Sequence, residues 1–323
     1  MTAVNNIIII NGMSFALPLF IMAIGGIYSE RSGITNLALE GLQGMGAFTG
    51  ALVAYCLIRS MGGTSQVPYY MAMLFAMIGG AVYSMLHAAL CIKFKANQVI
   101  SGVVVNILAM ALTSFLTKTI NRNVFGAASD KFELGVSQRI TIPGLSQIPV
   151  LGAFFTNVYP FEFLILVIAF IAWYVLYRTS FGLRLRACGD NPAAVDAAGG
   201  NVAQIQFIAV MVSGALSGLA GICFAYSISA KFSNDIYMGY GYLAIAGYIF
   251  GNWNLLPSLG ACLIFGFARS FGYQMVQILG MPSAYSDLVM ILPYVVTLLL
   301  LIFLSKHNQA PKALGETYDK SRR

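Results

Sequence analysis

The chain has 323 residues, of which 59% are hydrophobic and only 9% are charged, and its net charge is +7. Because soluble globular proteins carry about 25% charged residues, this composition excludes a water-soluble protein and predicts an all-α integral membrane protein. The basic residues lie at the ends of apolar runs and form no basic-aromatic patch, so we expect contact with membrane lipid and no nucleic acid partner.

Apolar runs follow one another along the chain, and each is close to the roughly 20 residues that span a bilayer as a helix. They predict a polytopic bundle of about eight or nine transmembrane segments. The clear spans are about Ile7–Tyr28, Leu37–Ile58, Tyr69–Ile92, Val99–Thr119, Phe161–Tyr177, Ile205–Ser227 and Leu288–Leu304.

The pattern breaks near residues 242–257. Tyr242–Phe250 is apolar but too short to span alone, Gly251–Pro257 (GNWNLLP) interrupts it, and Ser258–Gln274 resumes the apolar run. Such interruptions at membrane depth are tolerated only where the backbone is buried in protein or lines a cavity. We therefore predict a short or broken helix, a turn near the cytoplasm and a returning span.

These elements divide the chain into a transmembrane domain, residues 1–304, and a basic cytoplasmic tail, residues 305–323. The domain contains an outer loop at 120–160, with room for a short lid-like helix, and a cytoplasmic loop at 178–203. With the tail inside and the short segment crossing, the inner face receives eleven Lys and Arg residues against six outside, and the N-terminus lies outside. If the short segment does not cross, the N-terminus moves inside.

The stretch Arg178–Asn201 is too polar to lie in lipid, and three arginines at its start mark it as cytoplasmic. Its second half predicts a short helix. Asp190 or Asn191 can cap that helix, Pro192 suits its first position, and Gly199–Gly200 can end it. A short amphipathic helix between two spans offers a surface to a soluble partner, and an ordinary solvated loop is the alternative.

Three stretches carry a resemblance: Gly182–Asn201 (GLRLRACGDNPAAVDAAGGN), Ser29–Phe48 (SERSGITNLALEGLQGMGAF) and Lys95–Ala109 (KANQVISGVVVNILA). They resemble permease subunits of ABC importers of the branched-chain amino acid, sugar and nucleoside class, and most of all the bacterial nucleoside (guanosine-type) permeases. In that family the first stretch holds the coupling helix that docks into the ATPase. With the spans, the resemblance covers nearly the whole chain.

The resemblance implies a multi-pass protein of the bacterial plasma (inner) membrane, with a cytoplasmic C-terminus, that forms half of a translocation path for nucleosides. A sugar or a riboflavin-like molecule is the alternative substrate. It also implies three partners: an ABC ATPase, a second homologous permease subunit, and an extracytoplasmic substrate-binding lipoprotein. We expect the two permeases to form a heterodimer, and a homodimer of this chain is the alternative. The residues expected to couple to the ATPase, within 184–201, are Arg184, Arg186, Gly189, Asp190, Asn191, Pro192, Asp196 and Gly199.

The sequence contains no feature of an enzyme. It has no phosphate-cradling GxxxxGK[ST] motif, no His/Cys cluster with metal-ligand spacing and no nucleophile–base pair. We therefore expect no cofactor or metal in this chain and ATP-Mg only in the partner ATPase. A stand-alone secondary transporter would need several buried charged residues as an ion relay, whereas only Glu40 is clearly placed for one.

Glu40 and Asn36 are candidates for the substrate path. They lie one turn apart and share a side of the second span. A carboxylate in a span costs a few kcal/mol unless it meets a partner or water. It can line the path or a gate, or it can be structural, as a cap or a salt bridge, for example with Arg31.

Four polar residues at the start of the fourth span, Asn97, Gln98, Ser101 and Asn106, are the other candidates. The spacing of the first three lets them share a polar stripe, and Asn106 lies deeper. Their side chains could bond to a purine edge or to ribose hydroxyls. The structural alternative is hydrogen bonding between helices, worth about 0.6 kcal/mol each on average.

Overall fold

The computed structural model describes residues 2–61, 65–135, 139–148, 151–282, 285, 291–304 and 309–319, and this part of the chain is overwhelmingly helical. This confirms the all-α prediction. The helices are α1 (Thr2–Arg31), α2 (Leu39–Met61), α3 (Val67–Ala88), α4 (Gln98–Val124), α5 (Pro160–Arg178), α6 (Ser180–Asp190), α7 (Pro192–Ala197), α8 (Val202–Phe224), α9 (Tyr240–Phe250), α10 (Leu255–Ile278) and α11 (Leu292–Leu304).

Within the described ranges, seven helices are long and apolar enough to cross a membrane: α1 to α5, α8 and α10. Short π-helical turns, Ala89–Lys93 and Ala225–Ser229, extend α3 and α8. Helix α9 has 11 residues and α11 has 13. The start of the predicted last span, at Leu288, lies outside the described residues.

Small residues hold the centre of the bundle together. Helix α8 packs against α1, α2 and α3. A Cβ added at Gly46 of α2 would collide with the Cα of Gly218, and one added at Gly80 of α3 would collide with the carbonyl of Gly214. Close backbone approach at small residues is a main source of helix association in membranes. The glycine-rich faces of α2 and α8 therefore serve packing within this chain.

Helix α9 runs parallel to α1 and begins beside its middle. The rings of Phe15 and Tyr240 meet edge to face with centroids 5.1 Å apart, and further along Gly26 packs on Tyr248. Helix α10 then returns antiparallel to α1, since Ser270 Oγ donates to the Ile8 carbonyl at 2.9 Å. This arrangement confirms the predicted short helix, turn and returning span, and it makes α9 a half-length helix.

The predicted outer loop contains no lid-like helix in its described part. It holds the strand β1 (Phe132–Glu133), which pairs antiparallel with β2 (Lys231–Phe232), and two 3-10 turns, Leu145–Gln147 and Leu151–Phe155. Phe132 and Phe232 are buried and both contact Phe48 of α2. The apolar residues of this loop thus anchor it to the bundle instead of forming a separate helix.

One face of the bundle, called the loop face below, carries α6 and α7 with three helix connections, residues 32–38, 94–97 and 251–254. The described part of the predicted basic tail packs on this face. This part, residues 309–319, lies across the connections, and Pro311 and Ala313 are buried there.

Candidate functional site: a helix pair on the loop face and a polar cluster inside the bundle

Local capping signals form the helix pair α6–α7. Thr179 is extended and its Oγ1 accepts from the Gly182 amide at 3.2 Å, which starts α6 directly after α5. Asn191 separates the two helices with φ −156°, and its Oδ1 accepts from the Ala194 amide at 3.1 Å. Pro192 is the first residue of α7. The predicted cap is therefore Asn191, and the predicted place of Pro192 is confirmed.

Helix α7 ends as its glycines predicted. Gly199 has φ +81°, and the Gly200 amide donates to the Val195 carbonyl at 2.9 Å, which closes the last turn. Helix α6, which forms the first half of the loop, was not predicted from the sequence. Its buried residues Gly182, Leu185 and Cys188 recur every three positions, and that spacing was an available signal.

The predicted coupling residues divide into two groups. Arg184, Asp190, Asn191 and Gly199 are exposed. The others are held within the protein. The Arg186 guanidinium lies over the Tyr177 ring at 5.3 Å, Gly189 packs against the Arg31 carbonyl, and Asp196 Oδ2 accepts from Tyr318 Oη at 3.0 Å, while Pro192 is half-buried.

A groove of about 280 Å³ lies between α6 and α7. Its lining is apolar except for Arg184, and Leu183 on its wall is 62% exposed. Leu183 was not singled out from the sequence. Beneath the groove, Cys188 is fully buried, and burial raises the pKa of its thiol to about 11, so the thiol stays protonated at neutral pH.

Inside the bundle, Glu40 caps the start of α9. Its carboxylate accepts from the backbone amide of Gly239 at 2.9 Å and from the amide of Gly241. Free amides and the helix dipole both favour a carboxylate at this position. The described residues show no salt bridge between Glu40 and Arg31, and Arg31 Nε instead donates to the Trp253 carbonyl at 3.2 Å.

Asn36 and Asn106 hold the start of α2 in the same region. Asn36 Nδ2 donates to Ser213 Oγ of α8 at 2.9 Å. Asn106 Oδ1 accepts from the Gly41 amide at 2.7 Å, and its Nδ2 donates to the Leu37 carbonyl and to Tyr242 Oη. The structure thus brings Asn36, Glu40 and Asn106 together around the beginnings of α2 and α9.

Gln98 and Ser101 belong to a second buried group nearer the loop face. Gln98 Oε1 accepts from the Thr35 amide at 2.6 Å, and Ser101 Oγ lies 2.8 Å from His87 Nδ1. Asn97 stands apart from them, since it is exposed and caps α4. All six candidates make hydrogen bonds to protein atoms, which is the arrangement expected from the structural alternative.

The opposite end of α9 holds a carboxylate that the sequence analysis did not select. Glu30 is buried, and it accepts from Tyr248 Oη at 2.8 Å and from Trp253 Nε1 at 2.7 Å. The signal was available, because Glu30 is an ionisable residue at the end of a span and lies within the stretch Ser29–Phe48.

A cavity of about 220 Å³ opens beside the second strand, near the start of α9. Phe224 and Tyr240 lie at its apolar side, and Ser229, Lys231 and Asp235 contribute polar groups. Among the described residues, no group of three or more His, Cys, Asp or Glu side chains could hold a metal ion.

The described residues form a polytopic helical bundle that presents an exposed helix pair between two spans. The family described as branched-chain amino acid transport system / permease component matches residues 8–301, and this chain belongs to it.

Curated relatives agree over nearly the full length. The chain is 38% identical to the guanosine ABC transporter permease protein NupQ of Bacillus subtilis, over 98% of each chain. It is 36% identical to the nucleoside ABC transporter permease protein NupC of Lactococcus lactis, again over 98% of each. The guanosine ABC transporter permease protein NupP of Bacillus subtilis is 24% identical over 84% of this chain and 75% of its own.

Proposed function

We propose that this chain is one of two permease subunits of an ATP-driven importer of nucleosides, and that a separate ATPase docks on α6–α7. The observation that carries the proposal is the exposed apolar groove between α6 and α7. The names of the two relatives with full-length similarity, one a guanosine and one a nucleoside permease, support the substrate class.

The groove has the properties of a docking surface for a soluble partner. Leu183 is 62% exposed, although a large aliphatic side chain on a water-facing helix gains free energy when a partner covers it. Arg184 and Asp190 stand exposed on the same helix as a polar rim. An apolar centre with a polar rim is the usual anatomy of a protein interface.

The ATPase binds ATP-Mg, so the loop face is cytoplasmic in this proposal. If the half-length α9 is counted as a crossing, the number of crossings is odd. The N-terminus then lies outside and the C-terminus inside. Membrane lipid surrounds the bundle, and an extracytoplasmic binding lipoprotein delivers the nucleoside on the opposite face.

A second, unlike permease chain completes the path. The chain is similar to both NupQ and NupP, which are two guanosine permease proteins of one organism. The cavity beside α9 has about 220 Å³, below the roughly 300–1,000 Å³ of ordinary small-molecule sites. This volume fits a half-site that the second chain completes.

The polar cluster shapes this path in the proposal. Asn36, Glu40 and Asn106 fix the beginnings of α2 and α9 beside the cavity, and Gln98 and Ser101 fix the connection below them. Asn97 lies at the loop-face end of the path. These residues act by holding the helices that form the path, and the nucleoside contacts the residues that line the cavity.

The docking proposal is tested with Leu183→Glu in the complete transporter, measured by co-purification of the ATPase and by uptake of labelled guanosine. A charge on the groove wall should weaken ATPase binding by about 2 kcal/mol or more, roughly 30-fold. The matched control is Leu145→Glu, which makes the same change at an exposed leucine of the outer loop, 42% exposed. Equal ATPase recovery from the two variants would contradict the proposal.

The substrate class is tested separately by competition. Unlabelled nucleosides should reduce guanosine uptake, whereas sugars and riboflavin should not. A single chain that transports in proteoliposomes without ATP would instead support a stand-alone secondary transporter.

A further inference from the structure

The tail segment, residues 309–319, contacts every connection on the loop face. It begins at the α9–α10 turn, where the Gln309 amide donates to Asn252 Oδ1 at 2.8 Å. It then crosses α6 and the α1–α2 connection. The Ala313 amide donates to the Gly189 carbonyl at 2.8 Å, and the Gly315 amide donates to the Gly33 carbonyl at 3.1 Å.

The tail segment ends on α7 and the α3–α4 connection. Tyr318 Oη donates to Asp196 Oδ2 of α7 at 3.0 Å. The next residue, Asp319, forms an ion pair with Lys95, with Nζ and Oδ2 2.7 Å apart. Tyr318 and Asp319 therefore join α7 to the α3–α4 connection, which is far from α7 in the sequence.

Packing as well as polar contact holds the segment in place. Pro311 and Ala313 are buried, and Leu314 and Tyr318 pack against the main hydrophobic core. Gly189 lies between the Arg31 carbonyl and Pro311, with no room for a side chain. An exposed ion pair alone contributes only about 0–1 kcal/mol, so the backbone hydrogen bonds and the buried residues contribute most of the attachment.

We propose that residues 309–319 form a strap that ties α6 and α7 to the loop-face connections of the bundle. This proposal rests on the proposed docking of an ATPase to α6–α7. Movement imposed on α6 and α7 then reaches α1, α2, α3, α4, α9 and α10 together. Helix α7 needs such a tie, because it has only six residues and packs mainly against α6 and α8.

The geometry explains how the strap acts. Its bonds to Gly189 and Gly33 hold the end of α6 against the connection that leads into α2. Its bond to Asn252 holds the turn at the end of α9, and the opposite end of α9 is capped by Glu40. A displacement of α6 and α7 is thereby linked to α2 and to α9, and Tyr240 of α9 lines the cavity.

The first test removes the strap by ending the chain at Asn308 within the complete transporter. The ATPase should still co-purify and hydrolyse ATP, because α6 and α7 remain. Guanosine uptake per ATP hydrolysed should fall by about tenfold, within the usual 5–150-fold range of coupling between sites. Unchanged uptake per ATP would overturn the strap. Loss of ATPase binding would also overturn it, because the tail would then be part of the docking surface.

The second test keeps the chain whole and serves if the shortened chain does not fold. Lys95→Cys and Asp319→Cys are joined with a short reducible thiol cross-linker, in a background in which the exposed Cys56 is replaced by serine. The control is the Asp319→Cys variant alone with the same reagent. If the strap stays bound to the loop face throughout transport, cross-linking should preserve uptake. Loss of uptake that a reductant restores would overturn the proposal and make the tail a latch that must open.

The two proposals fail in different ways. If the docking proposal is wrong, Leu183→Glu leaves ATPase recovery unchanged. This result is obtained without any change to the strap. If only the strap is wrong, Leu183→Glu releases the ATPase, and the shortened chain transports with normal uptake per ATP.

Discussion

The two ends of α9 are held by buried carboxylates in opposite ways. At its start, Glu40 accepts from the backbone amides of Gly239 and Gly241. At its end, Glu30 accepts from the side chains of Tyr248 and Trp253. The carboxylate of Glu40 provides an acceptor for backbone amides, which lack a partner at the start of any helix. The carboxylate of Glu30 instead joins two particular side chains, one in α9 and one in the turn after it. A half-length helix inside a membrane therefore needs a partner at each end, and the chemistry of the partner differs.

The difference predicts which residue types can change at each end. At the start, the donors are backbone groups, so the acceptor Glu40 is essential, and Gly241 must lack a side chain because a Cβ there would collide with Glu40. At the end, the donors themselves are side chains, so each can be removed singly. The start of α9 should therefore be the more sensitive of the two.

The largest effect is expected for Glu40→Ala. This change leaves two amides without an acceptor inside the bundle, at about 1–3 kcal/mol each. The midpoint of thermal unfolding in detergent should fall, in line with a loss of about 2–6 kcal/mol. Glu40→Gln, which keeps one acceptor oxygen, should lose less. Equal stability of the Ala variant and the unchanged protein would show that Glu40 does not hold α9.

A smaller effect is expected for Tyr248→Phe, which removes one of the two donors to Glu30 and keeps the ring. The loss should be about 1–3 kcal/mol, because the carboxylate stays buried with only Trp253 as a donor. Trp253→Phe provides the matched change at the other donor. In a double-mutant cycle, the two changes should not add, since both donors serve one carboxylate. Additive losses of stability would show that Tyr248 and Trp253 do not act together through Glu30.

The smallest effect is expected at Asn252, in the turn that follows α9. Its φ of +50° favours glycine, so Asn252→Gly keeps the turn and removes only the acceptor for Gln309. The stability loss should be within about 1 kcal/mol. Protease access to the tail segment should rise, as measured by limited proteolysis. Asn252→Ala should cost more stability than Asn252→Gly, because alanine strains the turn, and the reverse order would contradict this account.

The elements that were predicted correctly are formed by interactions between residues that are close together in the sequence. Pro192 and Gly199 were predicted correctly at the start and end of α7, and Asn191 was one of two predicted caps, because caps and terminating glycines act within one turn. The break at Gly251–Pro257 was equally local. Helix α6 was missed because Arg184 and Arg186 dominate its composition, although its buried side follows helical spacing.

The partners of the buried polar groups were not predicted. Glu40 and Gly239 lie 199 positions apart, and many amides along the chain could have served as donors. The tail was predicted only as a basic cytoplasmic segment. Its position depends on the carbonyls of Gly33 and Gly189, which no sequence pattern marks.

The sequence by itself determined the helical bundle, its half-length helix and the caps of α7, because a helix in a membrane satisfies its backbone hydrogen bonds within a few residues. Only the tertiary structure decided which groups Glu30 and Glu40 bind and where residues 309–319 lie. A buried carboxylate or a tail needs donors and acceptors, and their supply depends on which distant segments the packed helices bring together.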